Sequence, residues 1–486
     1  RSEVMAAKKK RAVSSVSRHH WVPPLVMGAL QVLLVSVPTW LRAHHFGFSN
    51  YDFGIYSQGV ARLAVDPPNP WLSGRQIFLF NDHFDPILFV VAPFARVFPA
   101  AEVGLVVEAL CALLALLPLA WLAKHGRITN ATHWLLTALL AMHLGVTQSL
   151  GFPFHPTTWA MAPMAWMLAA LMLERWRTAL VALLFLLACK EEFPFVGFAL
   201  IPFMWTKAPR KWTWTWIALS AAWGVFAFIL RPRLVGDVMP YASQPFQGAV
   251  SDRFAPHVLA GAGDWLVAFL PLIIWLVAKK KAKGEKEMSP SPSGRGAGVR
   301  EHIFLSLTLA PMLGIRFLAM AWRDHYSAVL TSAAVLILAA WIGSELKPRW
   351  WLTALTLIIV LINAEPLLKR DFKSVTNEQG WGASHGCEDI DGRSKAIADA
   401  LELARKAPGP ILVGGNLLPW LAERSDVYAF GGPQGDTVNA VTYLLEQPRC
   451  GDTWARALEH RELDAYRARS KPRVIIEDWH VILSTD

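Results

Sequence analysis

The chain is 486 residues long, 54% hydrophobic and only 17% charged, with 23 Trp and a positive mean hydropathy. Its net charge of +10, from 47 basic and 37 acidic residues, does not mark a nucleic-acid binder. The basic residues lie in short clusters between apolar runs, as the positive-inside rule describes for a membrane protein.

A basic cluster, Lys8–Arg11, precedes the first apolar run at about Pro23–Leu41, which has no small-residue cleavage site and reads as an uncleaved anchor. With residues 1–22 inside, residues 42–100 form an outer loop. Within it Asp52–Val65 has helical spacing (Phe53, Tyr56, Val60, Leu63) and Pro86–Phe98 is apolar. Both are too short to span and suit helices lying along the membrane surface. Spans at about Ala101–Ala123, Ala131–Leu150 and Thr158–Leu173 follow, with Lys124-His125-Gly126-Arg127 inside and the GFPFHPTT turn outside. Thr178–Trp205 is interrupted by Cys189-Lys190-Glu191-Glu192. Two half-spans fit that stretch better than one helix with three charges at its centre, given the cost of charge in lipid.

The aromatic KWTWTW that follows reads as an interfacial belt. Spans at about Trp216–Leu230, Leu259–Ala278, Ile303–Ala321, Ala328–Leu346 and Trp351–Ala364 complete the series, with a basic low-complexity linker at residues 279–300. The expected fold is mainly α: a polytopic transmembrane helical bundle over residues 23–364 with about eleven crossings, N-terminus inside and C-terminus outside. Residues 365–486 turn charged and carry soluble-protein patterning, with an amphipathic helix at Ser394–Lys406, strands at Pro410–Gly414 and Val474–Glu477, and a helix at Leu418–Arg424. They predict a small α/β extracytoplasmic domain. Cys387 and Cys450 lie in it, either paired in an oxidising compartment or separately buried. No CxxC or Cys/His zinc spacing occurs.

The chemistry concentrates in the outer loop. Asp52 stands in the first turn of its helix, where an acid favours the helix N-terminus. Asp85 precedes Pro86, the signature of a helix start, and reads as a cap. Asp82 and His83 have no such explanation; adjacent in a loop, they are candidates for sharing a proton or, weakly, a metal. The predicted topology brings Asp52, Asp82, His83, His155, Lys190, Glu191, Glu192, Arg323, Asp324, His325 and Tyr326 to one membrane face. Carboxylates to deprotonate a nucleophile and cations or a metal to neutralise a departing phosphate are what chemistry on a membrane-borne phosphate requires. The bland reading, that outer loops are polar because they meet water, covers Arg323 and Asp324 but not charges embedded at residues 190–192.

The uncleaved first span, the long outer loop opening with a Tyr-Asp helix and the charged break at Lys190 resemble the GT-C superfamily of integral-membrane glycosyltransferases. The stretches YDFGIYSQ, NDHFDPILFVVAPFARVFP, FHPTTWAMAP, ACKEEFPF, DHYSAVL and GGNLLPWLAERSDVYAF are similar to a family of bacterial polytopic membrane proteins related to that superfamily. The resemblance implies transfer of a sugar from a polyprenyl-phosphate carrier to an acceptor at the outer face of the cytoplasmic membrane. It makes Asp52 the base or acceptor-orienting group, with Asp82 and His83 as further catalytic candidates. Lys190, with Glu191, His155, Arg323, His325 and Tyr326, would meet the lipid phosphate. Where many relatives have Asp-Glu this chain has Asp52-Phe53, so a divalent metal would need Asp82 or His83 beside Asp52. The implied partners are membrane lipid, the lipid-linked sugar donor and an acceptor. A catalytically silent scaffold, or a lipid or solute transporter, is the alternative; the predicted spans place few charges along a path through the membrane, which counts against transport.

Overall fold

The computed structural model describes residues 19–46, 48, 51–235, 303–311, 327–342, 390–414, 417–429, 442–446, 464, 468, 473–477 and 481–485. Among them, three helices are long and apolar enough to cross a membrane: Val22–His44, Ala100–Lys124 and Arg210–Val235, of 23, 25 and 26 residues. At about 1.5 Å per residue each exceeds the roughly 30 Å hydrocarbon core. Two shorter apolar helices, Trp176–Cys189 and Ser327–Ile342, accompany them. In Arg210–Val235 only 22% of the apolar window is buried within the protein, as suits a surface facing lipid. This helix starts at Arg210 rather than at Trp216, so the aromatic run at residues 212–216 lies inside it.

The chain forms two compact units. The first comprises residues 1–31, 110–149 and 157–364. Here Met161–Met172 packs between Trp176–Cys189 and Ser327–Ile342, and Ser332 Oγ donates to the Met161 carbonyl at 2.8 Å. The alanines at 162, 165, 169 and 170 are buried, and their small side chains allow such close approach. The single span expected over residues 131–150 is two helices, Asn130–Met142 and Leu144–Leu150. The cause is at His143, whose extended backbone ends the first helix and whose Nδ1 accepts the Gly145 N–H at 3.0 Å. The break expected at Cys189 is present: Trp176–Cys189 ends at an extended Lys190, and the chain resumes as Pro194–Ala199 and Ile201–Lys207.

The second unit comprises residues 32–109, 150–156 and 365–486. Its first part holds the helix Tyr51–Val65, a two-stranded hairpin of β1 (Trp71–Leu72) and β2 (Ile77–Phe78), and the short helices Leu79–Asp82 and Leu88–Val91. A 3₁₀ turn, Ala92–Arg96, follows. The apolar stretch Pro86–Phe98 is therefore broken into two short turns of helix. Arg96 Nε donates to the Ala64 carbonyl at 2.8 Å, tying these turns to the Asp52 helix, while Phe89, Val90, Phe94, Val97 and Phe98 stay exposed.

The tail contributes the helix Ile390–Lys406 and a mixed sheet of β3 (Ile411–Val413), β4 (Val427–Ala429), β5 (Thr442–Glu446), β6 (Arg473–Glu477) and β7 (Val481–Thr485). The strand order is β4-β3-β5-β7-β6, parallel across the first three and antiparallel at β7. The helix expected at Leu418–Arg424 is a single 3₁₀ turn, Leu418–Leu421. Arg424 closes this fold: its guanidinium forks onto Asp426 at 2.9 Å twice and donates to the carbonyls of Ala404, Arg405, Ala407 and Gly409. These carbonyls lie at and just past the C-terminus of Ile390–Lys406, where carbonyl groups lack helical partners. The expected spans at 259–278 and 351–364, most of that at 303–321, the linker at 279–300, the turn at 322–326, and Cys387 and Cys450 lie outside the described residues.

Candidate functional site

The site is built on the helix Tyr51–Val65. Phe53, Tyr56, Val60 and Leu63 are all under 8% exposed, and so are Ile55, Ser57, Gln58, Ala61 and Ala64, so the helix is buried on nearly every side. Asp52 sits in the first turn, where the partial positive charge of the helix N-terminus favours a carboxylate. Its side chain is 33% exposed, within reach of a ligand.

His155 arrives from residues 150–156. Its neighbour Phe154 is fully buried and lies on Gly104 of the helix Ala100–Lys124; a Cβ at Gly104 would stand only 1.9 Å from the Phe154 ring. The His155 N–H points to Glu108 Oε1 at 3.4 Å, one turn further along the same helix. The imidazole stacks on Phe152 at 5.2 Å and meets the Tyr56 ring edge-on at 5.4 Å. Its Nε2 then stands 3.3 Å from Asp52 Oδ2, and its side chain is 4% exposed. Nδ1 faces the Phe152 carbonyl, also at 3.3 Å. Both ring nitrogens thus face oxygen acceptors. A neutral imidazole has one N–H and satisfies one of them; the imidazolium satisfies both.

A second pair lies beside the first. Tyr56, one turn from Asp52, donates its hydroxyl to Asp85 Oδ2 at 3.0 Å, and Asp85 is 1% exposed. The next helix starts at Leu88, with Ile87 at its N-cap and no side-chain cap hydrogen bond. Asp82 takes a different partner from Asp52: Arg75 Nε lies 3.3 Å from its Oδ2, and the residue is 8% exposed. His83 follows with extended backbone as the C-cap of Leu79–Asp82.

Lys190 and Glu191 are buried, 3% and 6% exposed, and belong to the other unit. Arg323, Asp324, His325 and Tyr326 lie outside the described residues. Among the described residues, no group of three His, Cys, Asp or Glu side chains is placed to hold a metal ion.

Three members of the cluster escaped the sequence reading. Glu108 is 2% exposed within an apolar span, and an ionisable residue in such a span is itself a signal of function. It also lines a cavity of about 170 Å³ whose walls include Val37, Trp40, Leu105, Val106 and Leu150. Tyr56 was read only as a core position of its helix, and Asp85 only as a cap. Their pairing across 29 residues leaves no trace in local patterning.

Residues 42–257, which include every described member of this cluster, match the family described as "Predicted membrane protein (DUF2079)". No curated protein matches the chain. Among solved structures, the chain is similar to the crystal structure of ArnT from Cupriavidus metallidurans bound to undecaprenyl phosphate. The identity is 11% and the TM-score 0.54, over 96% of this chain and 98% of that one. It is also similar to the cryo-EM structure of arabinofuranosyltransferase AftD from Mycobacteria, with 15% identity and a TM-score of 0.44, over 95% of this chain and 41% of that one. The ArnT likeness is one of fold, and it accompanies the three helices long and apolar enough to cross a membrane.

Proposed function

We propose that this protein is a GT-C-type glycosyltransferase that moves a sugar from a polyprenyl-phosphate carrier to an acceptor hydroxyl or amine. The reaction would run at the outer face of the bacterial cytoplasmic membrane. The observation that carries the reading is the Asp52–His155 pair, a reachable carboxylate held by an unreachable imidazole. The fold likeness to ArnT, whose crystal structure contains undecaprenyl phosphate, supports a lipid-phosphate carrier. The apolar cavity beside Glu108 suits a hydrocarbon chain.

In this mechanism Asp52 accepts the proton of the acceptor as the acceptor oxygen or nitrogen attacks the anomeric carbon. The new bond to that carbon forms as the bond from carbon to the phosphate oxygen breaks. The electron pair leaves on the polyprenyl phosphate, a weak base that needs no protonation to depart. His155 fixes the Asp52 carboxylate and screens its charge, and Tyr56–Asp85 fixes the ring edge against which His155 rests. These steps use residues of one unit; the phosphate-binding role expected of Lys190 belongs to a residue of the other. No step here depends on a divalent metal.

The test is a panel of short-chain polyprenyl-phosphate monosaccharides offered to the purified protein in lipid vesicles, reading release of polyprenyl phosphate. Turnover of at least one donor is expected. Binding without release across the panel would favour a silent scaffold instead.

A further inference from the structure

The helix that carries Asp52 has a second face in use. At 100° per residue, Gly54 and Gln58 point away from Asp52 and Tyr56, and this opposite face receives the C-terminal tail. A Cβ at Gly54 would meet Leu418 Cδ2 at 2.6 Å, and one at Gly74 would meet the same atom at 2.9 Å. Leu418 is fully buried, so its side chain fills a notch that two glycines leave open between the Asp52 helix and the hairpin turn. Gln58 closes the notch: its Oε1 accepts the Gly74 N–H at 2.9 Å and its Nε2 donates to Ser73 Oγ at 2.8 Å. Ser73 in turn donates to the Val427 carbonyl of β4. Further attachments stand at the other end: Trp420 packs edge-on against Phe46 at 5.5 Å, and His45 Nδ1 lies 3.0 Å from Ser394 Oγ.

We infer that the tail domain is a clamp that sets the position of Asp52, with Leu418 as its positioning residue. The inference rests on the reading of Asp52 as the reacting carboxylate. What is new is that the tail acts on it from behind: one face of a single helix presents the acid to His155, and the other is gripped two residues away by Leu418. A wedge seated on backbone at Gly54 transmits displacement directly, because there is no flexible side chain at that position to absorb it. The tail is thereby a working part of the site rather than a separate binding module.

The test needs no donor, so it stands apart from the transferase reading. In full-length protein carrying Asp52→Cys, alkylation at residue 52 is followed against pH by mass spectrometry, which separates this thiol from the native cysteines. A thiol beside an imidazolium ionises below the ~8.5 of an isolated cysteine. The midpoint should therefore lie lower than in Asp52→Cys/His155→Ala, by about one pH unit. Adding Leu418→Ala should erase that difference in protein that still elutes as a monodisperse species, and Leu418→Met should restore it. Should Leu418→Ala fail to fold, Gly54→Ala gives the same reading, because its methyl group displaces the leucine. A difference that survives loss of the Leu418 wedge, or no difference even with Leu418 intact, would overturn the clamp.

Discussion

His155 Nε2 lies 3.3 Å from Asp52 Oδ2 across 103 residues of sequence, and several neighbouring contacts hold the ring there. Phe152 stacks on it, Tyr56 bounds its edge, Glu108 takes its backbone N–H and Gly104 makes room for Phe154. The imidazole is buried and the carboxylate is not. A histidine placed this way acts through its partner.

His155→Ala should therefore lower kcat while leaving the donor KM unchanged, because the ring is only 4% exposed and lies behind the Asp52 carboxylate. A misplacement of about 1 Å in a reacting group costs about 10²-fold, and a loss of that order is expected. His155→Gln, whose amide nitrogen falls near the position of Nε2, should recover part of it. Steady-state kinetics on both variants check this.

Gly104 is the position where packing is least forgiving. A side chain there would overlap the Phe154 ring, and overpacking of this kind costs about 1–3 kcal/mol. Gly104→Val should lower the thermal midpoint, and it should also displace His155 through the adjacent Phe154. Its activity loss should then exceed that of an equally destabilising substitution in the tail.

Tyr56→Phe keeps the ring that borders His155 and removes only the hydroxyl donated to Asp85. Removing one partner of a buried hydrogen bond costs about 1–3 kcal/mol. The expected result is a lower thermal midpoint, with the Asp85→Asn/Tyr56→Phe double variant less affected than the sum of the singles because the two side chains share one interaction.

Arg424 is expected to be the most sensitive position of the tail. It joins Asp426 to the end of Ile390–Lys406 through hydrogen bonds from all three guanidinium nitrogens, and its planar fork has no equivalent in lysine. Arg424→Ala should destabilise by about 2–4 kcal/mol, and Arg424→Lys should recover little. Limited proteolysis of the tail, with the spans as an internal control, reads the difference.

How much of this the sequence disclosed follows from what each feature depends on. Hydropathy alone places Val22–His44 and Ala100–Lys124 within a few residues, because a bilayer imposes length and composition on a helix directly. Helical spacing places Tyr51–Val65 for the same local reason, and the charges at residues 190–192 mark the helix break there. The span expected over 131–150 is broken into two helices because His143 ends the first by turning its ring onto the Gly145 N–H, a contact that hydropathy does not register. In the site, Asp52 and His155 were singled out one by one, but their contact depends on tertiary packing at Gly104, which is silent in a single sequence. Asp82 and His83 drew attention as a local cluster, yet Asp82 turns to Arg75, seven residues earlier. Glu108 was the recoverable omission, a lone acid in an apolar span.

The central claim is tested most directly by Asp52→Asn, which keeps size and hydrogen-bonding shape but cannot take a proton. With any donor that the wild-type protein turns over, the asparagine variant should bind it with unchanged affinity and release polyprenyl phosphate slower by on the order of 10²–10⁴-fold. Release at the wild-type rate would contradict the account and remove Asp52 from the chemistry.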